Sequence, residues 1–237
     1  MVKRIKEKVQ SKTNITFDFL TKNQQIAWET YQANDVIFLA GPAGTGKTFL
    51  AMAFAISDIL QRNHKRIILT RPIVEAGESL GHLPGNIIEK VNPYMVPLYD
   101  CYHILCPGAT LKNKIIEQAF EIAPIAFMRG RSLHNSVCIF DEAQNATTAQ
   151  LILFLTRLGQ NSKIIITGDP QQSDIDGKSG LTFVMNKLYD LNGVGIIHFS
   201  QDDIVRHPLI TLILNRLATP NQTDCATSGP SGDLPDC

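Results

Sequence analysis

The chain has 237 residues, 44% hydrophobic and 19% charged, the proportions of a soluble globular protein with one large domain. Its 22 basic residues balance 22 acidic ones, so there is no global positive field and any nucleic-acid contact has to come from a local patch. No run approaches the ~18 apolar residues of a membrane helix, the N-terminus lacks a signal-peptide core, and five cysteines without a framework spacing suit a reducing, cytoplasmic setting.

Residues 1–17, locally basic at Lys3, Arg4, Lys6, Lys8 and Lys12, read as a flexible segment. A helix starts near Leu20, with Thr21 as N-cap and Gln24 three residues on, as in a capping box. Trp28 and Tyr31 read as packing residues of that helix. Val36–Ala40 is a buried strand, and a helix over 49–60 follows it. A second buried strand, Arg66–Thr70, ends in Arg71-Pro72. Residues 73–98 carry Gly77, Gly81, Pro84, Gly85, Pro93 and Pro97, too much punctuation for one long helix, and are expected as short helices and ordered loops. A helix over 111–120 and a short strand at Ile125–Met128 come next. Strands at 137–140, 162–167 and 194–199 alternate with helices at 147–158, 181–191 and 208–217. That alternation predicts an α/β fold, a doubly wound, mostly parallel sheet. The tail, 218–237, is small, polar and rich in Pro and Gly, the composition of a disordered segment.

The chemistry starts between the first strand and its helix, at Gly41-Pro42-Ala43-Gly44-Thr45-Gly46-Lys47-Thr48. Glycines let the backbone curl so that its N–H groups converge on a phosphate, and the helix N-terminus adds more donors. Lys47 is expected at the β- and γ-phosphates and the Thr48 hydroxyl at Mg²⁺. Asp141-Glu142-Ala143-Gln144 follows another buried strand, where a carboxylate can hold the metal: Asp141 for Mg²⁺, Glu142 to orient and deprotonate the attacking water. Gly168-Asp169-Pro170-Gln171-Gln172 ends a third strand, and the Gln172 amide is suited to sensing a γ-phosphate. Arg206, at a helix start where a cation is disfavoured, suggests an anionic partner; it reads either as an arginine finger or as a surface partner of Asp202 or Asp203. Cys101, His103 and Cys106 lack a second ligand pair and read as ordinary residues rather than a zinc site.

With these motifs in order, residues 18–217 resemble the PhoH family of P-loop ATPases, itself similar to the first RecA-like domain of superfamily-one helicases. The most family-specific stretch is Arg71-Pro72 through Val74-Glu75, Gly77-Glu78, Leu80-Gly81 and Leu83-Pro84-Gly85. The resemblance implies a single RecA-like P-loop NTPase domain that uses ATP and Mg²⁺, with Gln24 at the adenine edge and Arg71 touching a single nucleic-acid strand. A full helicase carries a second RecA-like domain, which this chain has no residues to build. The implied solution is an active site shared between subunits of a ring-like homo-oligomer, a hexamer in similar ATPases, with Arg206 completing the neighbour's site.

The leading reading is therefore Mg²⁺-dependent ATP hydrolysis coupled to RNA or single-stranded nucleic acid, helped by Arg71, Arg129 and Arg131. The alternative is an ATP-dependent switch or regulatory binding module with slow hydrolysis and no nucleic-acid coupling. A small-molecule kinase fits less well, since Glu142 and Gln172 point to water as acceptor. The sequence leaves the physiological substrate and the roles of Glu75 and Glu78 open.

Overall fold

The computed structural model describes residues 17–72, 87–108, 111–172 and 180–205, with Leu209 and Arg216 beyond them. The chain divides at residue 204. In the second unit Leu209 and Arg216 are helical; the sheet and its covering helices belong to the first. Residues 1–16 and 218–237 of the expected flexible segments, with Glu75, Glu78 and Arg206, lie outside the described residues, while Phe17, expected in the first of those segments, is instead packed against Phe19, Trp28 and Phe54.

Six parallel strands form one sheet, β1 (Val36–Ala40), β2 (Arg66–Thr70), β3 (Phe120–Ile122), β4 (Ser136–Phe140), β5 (Lys163–Gly168) and β6 (Val194–His198). Their order is β3-β2-β4-β5-β1-β6. Residues 36–40 and 136–140 are buried throughout, as strands covered on both faces must be. Side chains alternate between two layers: Ile37 and Leu39 face one, Val36, Phe38 and Ala40 the other. Helices α1 (Lys22–Ala33), α2 (Lys47–Leu60), α3 (Ile87–Leu105) and α4 (Leu111–Ala119) cover the first face; α5 (Thr148–Leu155) and α6 (Gly180–Leu188) cover the second. The architecture is doubly wound, as the alternation of elements predicts.

The structure corrects the sequence reading in two places. Residues 87–98 are not short helices and loops but the first part of the continuous helix α3. Met95, Leu98, Tyr102 and Leu105 recur at helical spacing and are all buried, so one apolar stripe against the core outweighs two prolines. Pro97 itself lies on the exposed side of the helix, away from that stripe. The edge strand is also displaced: Phe120–Ile122 pairs with β2, while Ile125–Phe127 is a 3₁₀ turn after Pro124. A four-residue apolar run does not distinguish the two.

Aromatic packing and one polar network fasten α1 to α2. Trp28 and Tyr31 lie against Phe54, with ring centroids 5.1 Å apart in both pairs. The Tyr31 hydroxyl donates to Asp58 of α2, the Asn63 amide donates to the same carboxylate at 3.0 Å, and His64 Nδ1 lies 3.0 Å from it. Lys163 Nζ, at the start of β5, donates to the carbonyls of Tyr31 and Asn34. The far end of α1 is thereby fixed, which aims its N-terminal turn at the loop after β1.

Candidate nucleotide site

Ligands in open α/β sheets bind beyond the carboxyl ends of the strands. Register decides which residues meet there. Thr70 pairs with Phe140, Phe140 with Ile166, and Gly168 with Ala40. Arg71 and Asp141 therefore leave the sheet level with Thr167, and Gly41 and Asp169 leave it together two residues further along β5. Motifs separated by tens of residues in sequence become neighbours because β4 and β5 pair between β2 and β1.

The loop after β1 has the backbone its glycines permit. Gly41, Gly44 and Gly46 have φ of 148°, 88° and 84°. At Gly41 any side chain is excluded on a second count, since a Cβ would lie 2.5 Å from the Phe199 carbonyl oxygen. Lys47 Nζ donates to the carbonyls of Gly41 and Pro42, at 2.6 and 2.8 Å, so the ammonium is held across the mouth of the loop. Thr45 is buried and its hydroxyl donates to the Pro42 carbonyl. Pro42 and Ala43 form the outer rim of the turn.

Gln24 shares the buried stripe of α1 with Ala27, Trp28 and Tyr31. Its backbone N–H is capped by Thr21, but the box is not reciprocal. The Gln24 Oε1 instead accepts from Leu20 N–H at 2.8 Å, and Nε2 donates to the Thr45 carbonyl at 3.1 Å. The amide thus ties α1 to the phosphate-binding loop, with its Nε2 3.2 Å from where a Cβ on Gly46 would stand.

Asp141 is 1% exposed. Its Oδ1 accepts from Thr48 Oγ1 at 2.8 Å and from Thr167 Oγ1. Its Oδ2 is buried without a hydrogen-bond partner among the described residues. Burial pushes this carboxyl up from its ordinary range, partly opposed by the Thr167 and Thr48 hydroxyls. A buried carboxylate oxygen with an open lone pair, beside a threonine hydroxyl, is the donor set a hard divalent cation takes. Asp141 and Thr48 therefore fit Mg²⁺.

Glu142 adopts a left-handed backbone conformation, φ 55°. Gln144 holds its side chain: Nε2 donates to Glu142 Oε2 at 2.5 Å, and Oε1 accepts from Asp169 N–H at 3.1 Å. The space for this amide exists because residue 168 is glycine; a Cβ there would lie 2.9 Å from Gln144 Oε1. Gln172 is exposed at the rim of the same turn, its N–H bonded to the Asp169 carbonyl at 3.1 Å.

A cleft of about 360 Å³ joins these parts, bounded by Gly44, Lys47, Thr48, Glu142, Asp169 and Gln172. Seven of the fourteen predicted site residues line this one cavity: Ala43, Gly44, Gly46, Lys47, Thr48, Glu142 and Gln172. Gln24 approaches it from behind the loop, and Asp141 lies beneath Thr48. Arg71 lies against Asp141 and Glu142. Arg131 forms an ion pair with Glu121, which Arg66 also meets at 3.2 Å. Cys101 of α3 lines the cleft, while Cys106 is buried and His103 exposed. The sequence reading assigned no part to Thr167 or Gln144. The only signals for them were a hydroxyl near the end of a buried strand and an amide two residues after Glu142.

A family model described as PhoH-like protein matches residues 16–218. The chain belongs to the PhoH-like family. It is 51% identical over 184 residues to a PhoH-like protein of Bacillus subtilis (strain 168), covering 76% of this chain and 57% of that protein. With a PhoH-like protein of Synechocystis sp. (strain ATCC 27184 / PCC 6803 / Kazusa) it shares 46% identity over 202 residues, 84% of this chain and 62% of the other. With Protein PhoH of Escherichia coli (strain K12) the figures are 42%, 75% and 51%. The chain thus spans less than two thirds of the length of these PhoH-like relatives. Among solved structures it is similar to the large terminase from a thermophilic bacteriophage in complex with ADP, at a TM-score of 0.53 and 13% identity, over 85% of this chain and 50% of that one. That likeness concerns the fold, which is of the RecA-like P-loop type.

Proposed function

We propose that the protein binds ATP with Mg²⁺ and hydrolyses it, that RNA or single-stranded nucleic acid stimulates turnover, and that the site is completed between subunits of a homo-oligomer. The observation that carries the ATPase part is the pairing of Thr48 with Asp141 beneath the phosphate-binding loop, with a buried carboxylate oxygen that has no hydrogen-bond partner among the described residues and Glu142 held alongside. Thr48 and Asp141 would hold Mg²⁺, which would supply charge neutralisation at the phosphates. The loop N–H groups and Lys47 bind the phosphates. Glu142 accepts the proton of the attacking water, and Gln172 orients that water or reads the γ-phosphate. Gln24 is assigned to the adenine edge by family resemblance; its place beside the loop is compatible with a tether between base and phosphates. The similar terminase is known in complex with ADP, which supports nucleotide binding by a protein of this fold. Nucleic-acid coupling rests on family likeness, and the shared site on Arg206.

The test is ATP turnover with and without single-stranded RNA, beside Glu142→Gln. Loss of a general base lowers turnover by about 10²–10⁴, so Glu142→Gln is expected to bind ATP normally and be inactive within those limits. Wild type is expected to accelerate with RNA. Glu142→Gln at full activity overturns the assignment. Turnover indifferent to polynucleotide moves the regulatory-switch reading ahead.

A further inference from the structure

The family resemblance puts Arg71 on a nucleic-acid strand, but its guanidinium is committed inward. The side chain is only 21% exposed. Nη2 lies 3.4 Å from Glu142 Oε1, and Nη1 lies 3.9 Å from Asp141 Oδ2, the oxygen that lacks a hydrogen bond. Nη1 also donates to the Tyr94 carbonyl of α3 at 3.2 Å. Register puts it there: Thr70 and Phe140 are paired neighbours, and Asp141 N–H donates to the Thr70 carbonyl at 3.0 Å. A planar guanidinium can span two acceptors and a carbonyl at once, whereas an ammonium is a point charge.

We propose that Arg71 is a positioning residue of the nucleotide site itself: a built-in cation that holds Glu142 and Asp141 in place and ties them to α3 through Tyr94. The inference rests on the ATPase reading. Two adjacent carboxylates, one of them buried, repel each other and need a positive charge. Arg71 supplies it from within the same chain. It lies within ion-pair reach of the Asp141 oxygen open to a metal, so guanidinium and metal compete for that charge. It acts through Glu142 and is therefore distinct from an arginine finger supplied by another subunit.

The two roles predict effects of opposite sign in one variant. Arg71→Ala is expected to lower kcat by roughly thirty- to a hundredfold, with ADP affinity and the KM for ATP moved by less than about threefold. Arg71→Lys should recover no more than about a tenth of wild-type turnover, because it cannot bridge both carboxylates. At the same time free Mn²⁺, titrated into nucleotide-free protein and followed by water-proton relaxation, should bind Arg71→Ala roughly tenfold more tightly, since a neighbouring cation is gone. A merely structural role would weaken metal binding and turnover together, and that result overturns the proposal. So does Arg71→Ala with normal basal turnover and lost RNA stimulation, the behaviour of a strand contact. Wild type without turnover would overturn the ATPase reading, while the Mn²⁺ titration would still decide the place of Arg71.

Discussion

At the scale of single residues, the site depends on how Glu142 is held. A non-glycine residue at φ 55° carries a conformational cost on the order of 1 kcal/mol. The cost is offset by contacts on both carboxylate oxygens, Gln144 on Oε2 and Arg71 on Oε1. Gln144 is the more specific of the two because it joins Glu142 to the Asp169 backbone, and so couples the turns after β4 and β5. Gln144→Ala is expected to lower kcat by about ten- to a hundredfold with ADP affinity unchanged. Gln144→Glu is expected to do no better: it still accepts from Asp169 N–H but sets a second carboxylate against Glu142. Steady-state kinetics beside fluorescent-nucleotide binding checks both. Equal loss of turnover and ADP binding would mean that Gln144 supports the loop as a whole.

At the scale of elements, α1 matters because its two ends do different work. Its first turn places Gln24 on the loop, and its last turns are bolted to α2 through Tyr31, Phe54 and Asp58. Burial pushes the Asp58 carboxyl up, but His64, the Tyr31 hydroxyl and the Asn63 amide outweigh it and leave the group below its ordinary value. A carboxyl with a depressed folded pKa stabilises the protein above its unfolded pKa, near 4. That contribution is lost as pH falls from there through the folded value. Asp58→Asn is expected to cost about 3 kcal/mol at pH 7 and progressively less relative to wild type below about pH 4. Urea unfolding across pH checks this; a constant difference at all pH values would assign the loss to shape rather than charge.

At the scale of the whole molecule, the open matter is what completes the cleft. Gln172 stands exposed at its rim. If Arg206 of one subunit acts at the site of the next, two inactive variants should rescue each other. Arg206→Ala and Glu142→Gln would each lower turnover, yet mixed oligomers would contain some interfaces with an intact Glu142 facing an intact Arg206. Random mixing of equal amounts is expected to return about a quarter of wild-type turnover per site pair, the product of two half occupancies, if subunits are independent. Turnover no higher than the sum of the separate variants would place Arg206 in its own subunit's site or outside any site.

Much of this was readable in the sequence because local rules apply to it directly. Gly41 to Thr48 needs particular backbone angles that glycine supplies, β1, β2, β4 and β5 read as apolar runs because parallel strands are buried on both faces, and Asp141-Glu142 stands where such a strand ends. Those features identify a P-loop and its carboxylates without coordinates. Other features were decided only by tertiary structure. The strand order that sets Arg71 beside Asp141 joins residues seventy positions apart, and no local pattern encodes which strands pair. The continuity of α3 through Pro97 was decided by the stripe it buries, and the place of β3 by its pairing with β2. Gln144 meets Asp169 and Thr167 meets Asp141, each a partner that follows a different strand. Motifs are local and survive in one dimension, whereas charge pairing, burial and register are relations between distant segments and exist only once the sheet has formed.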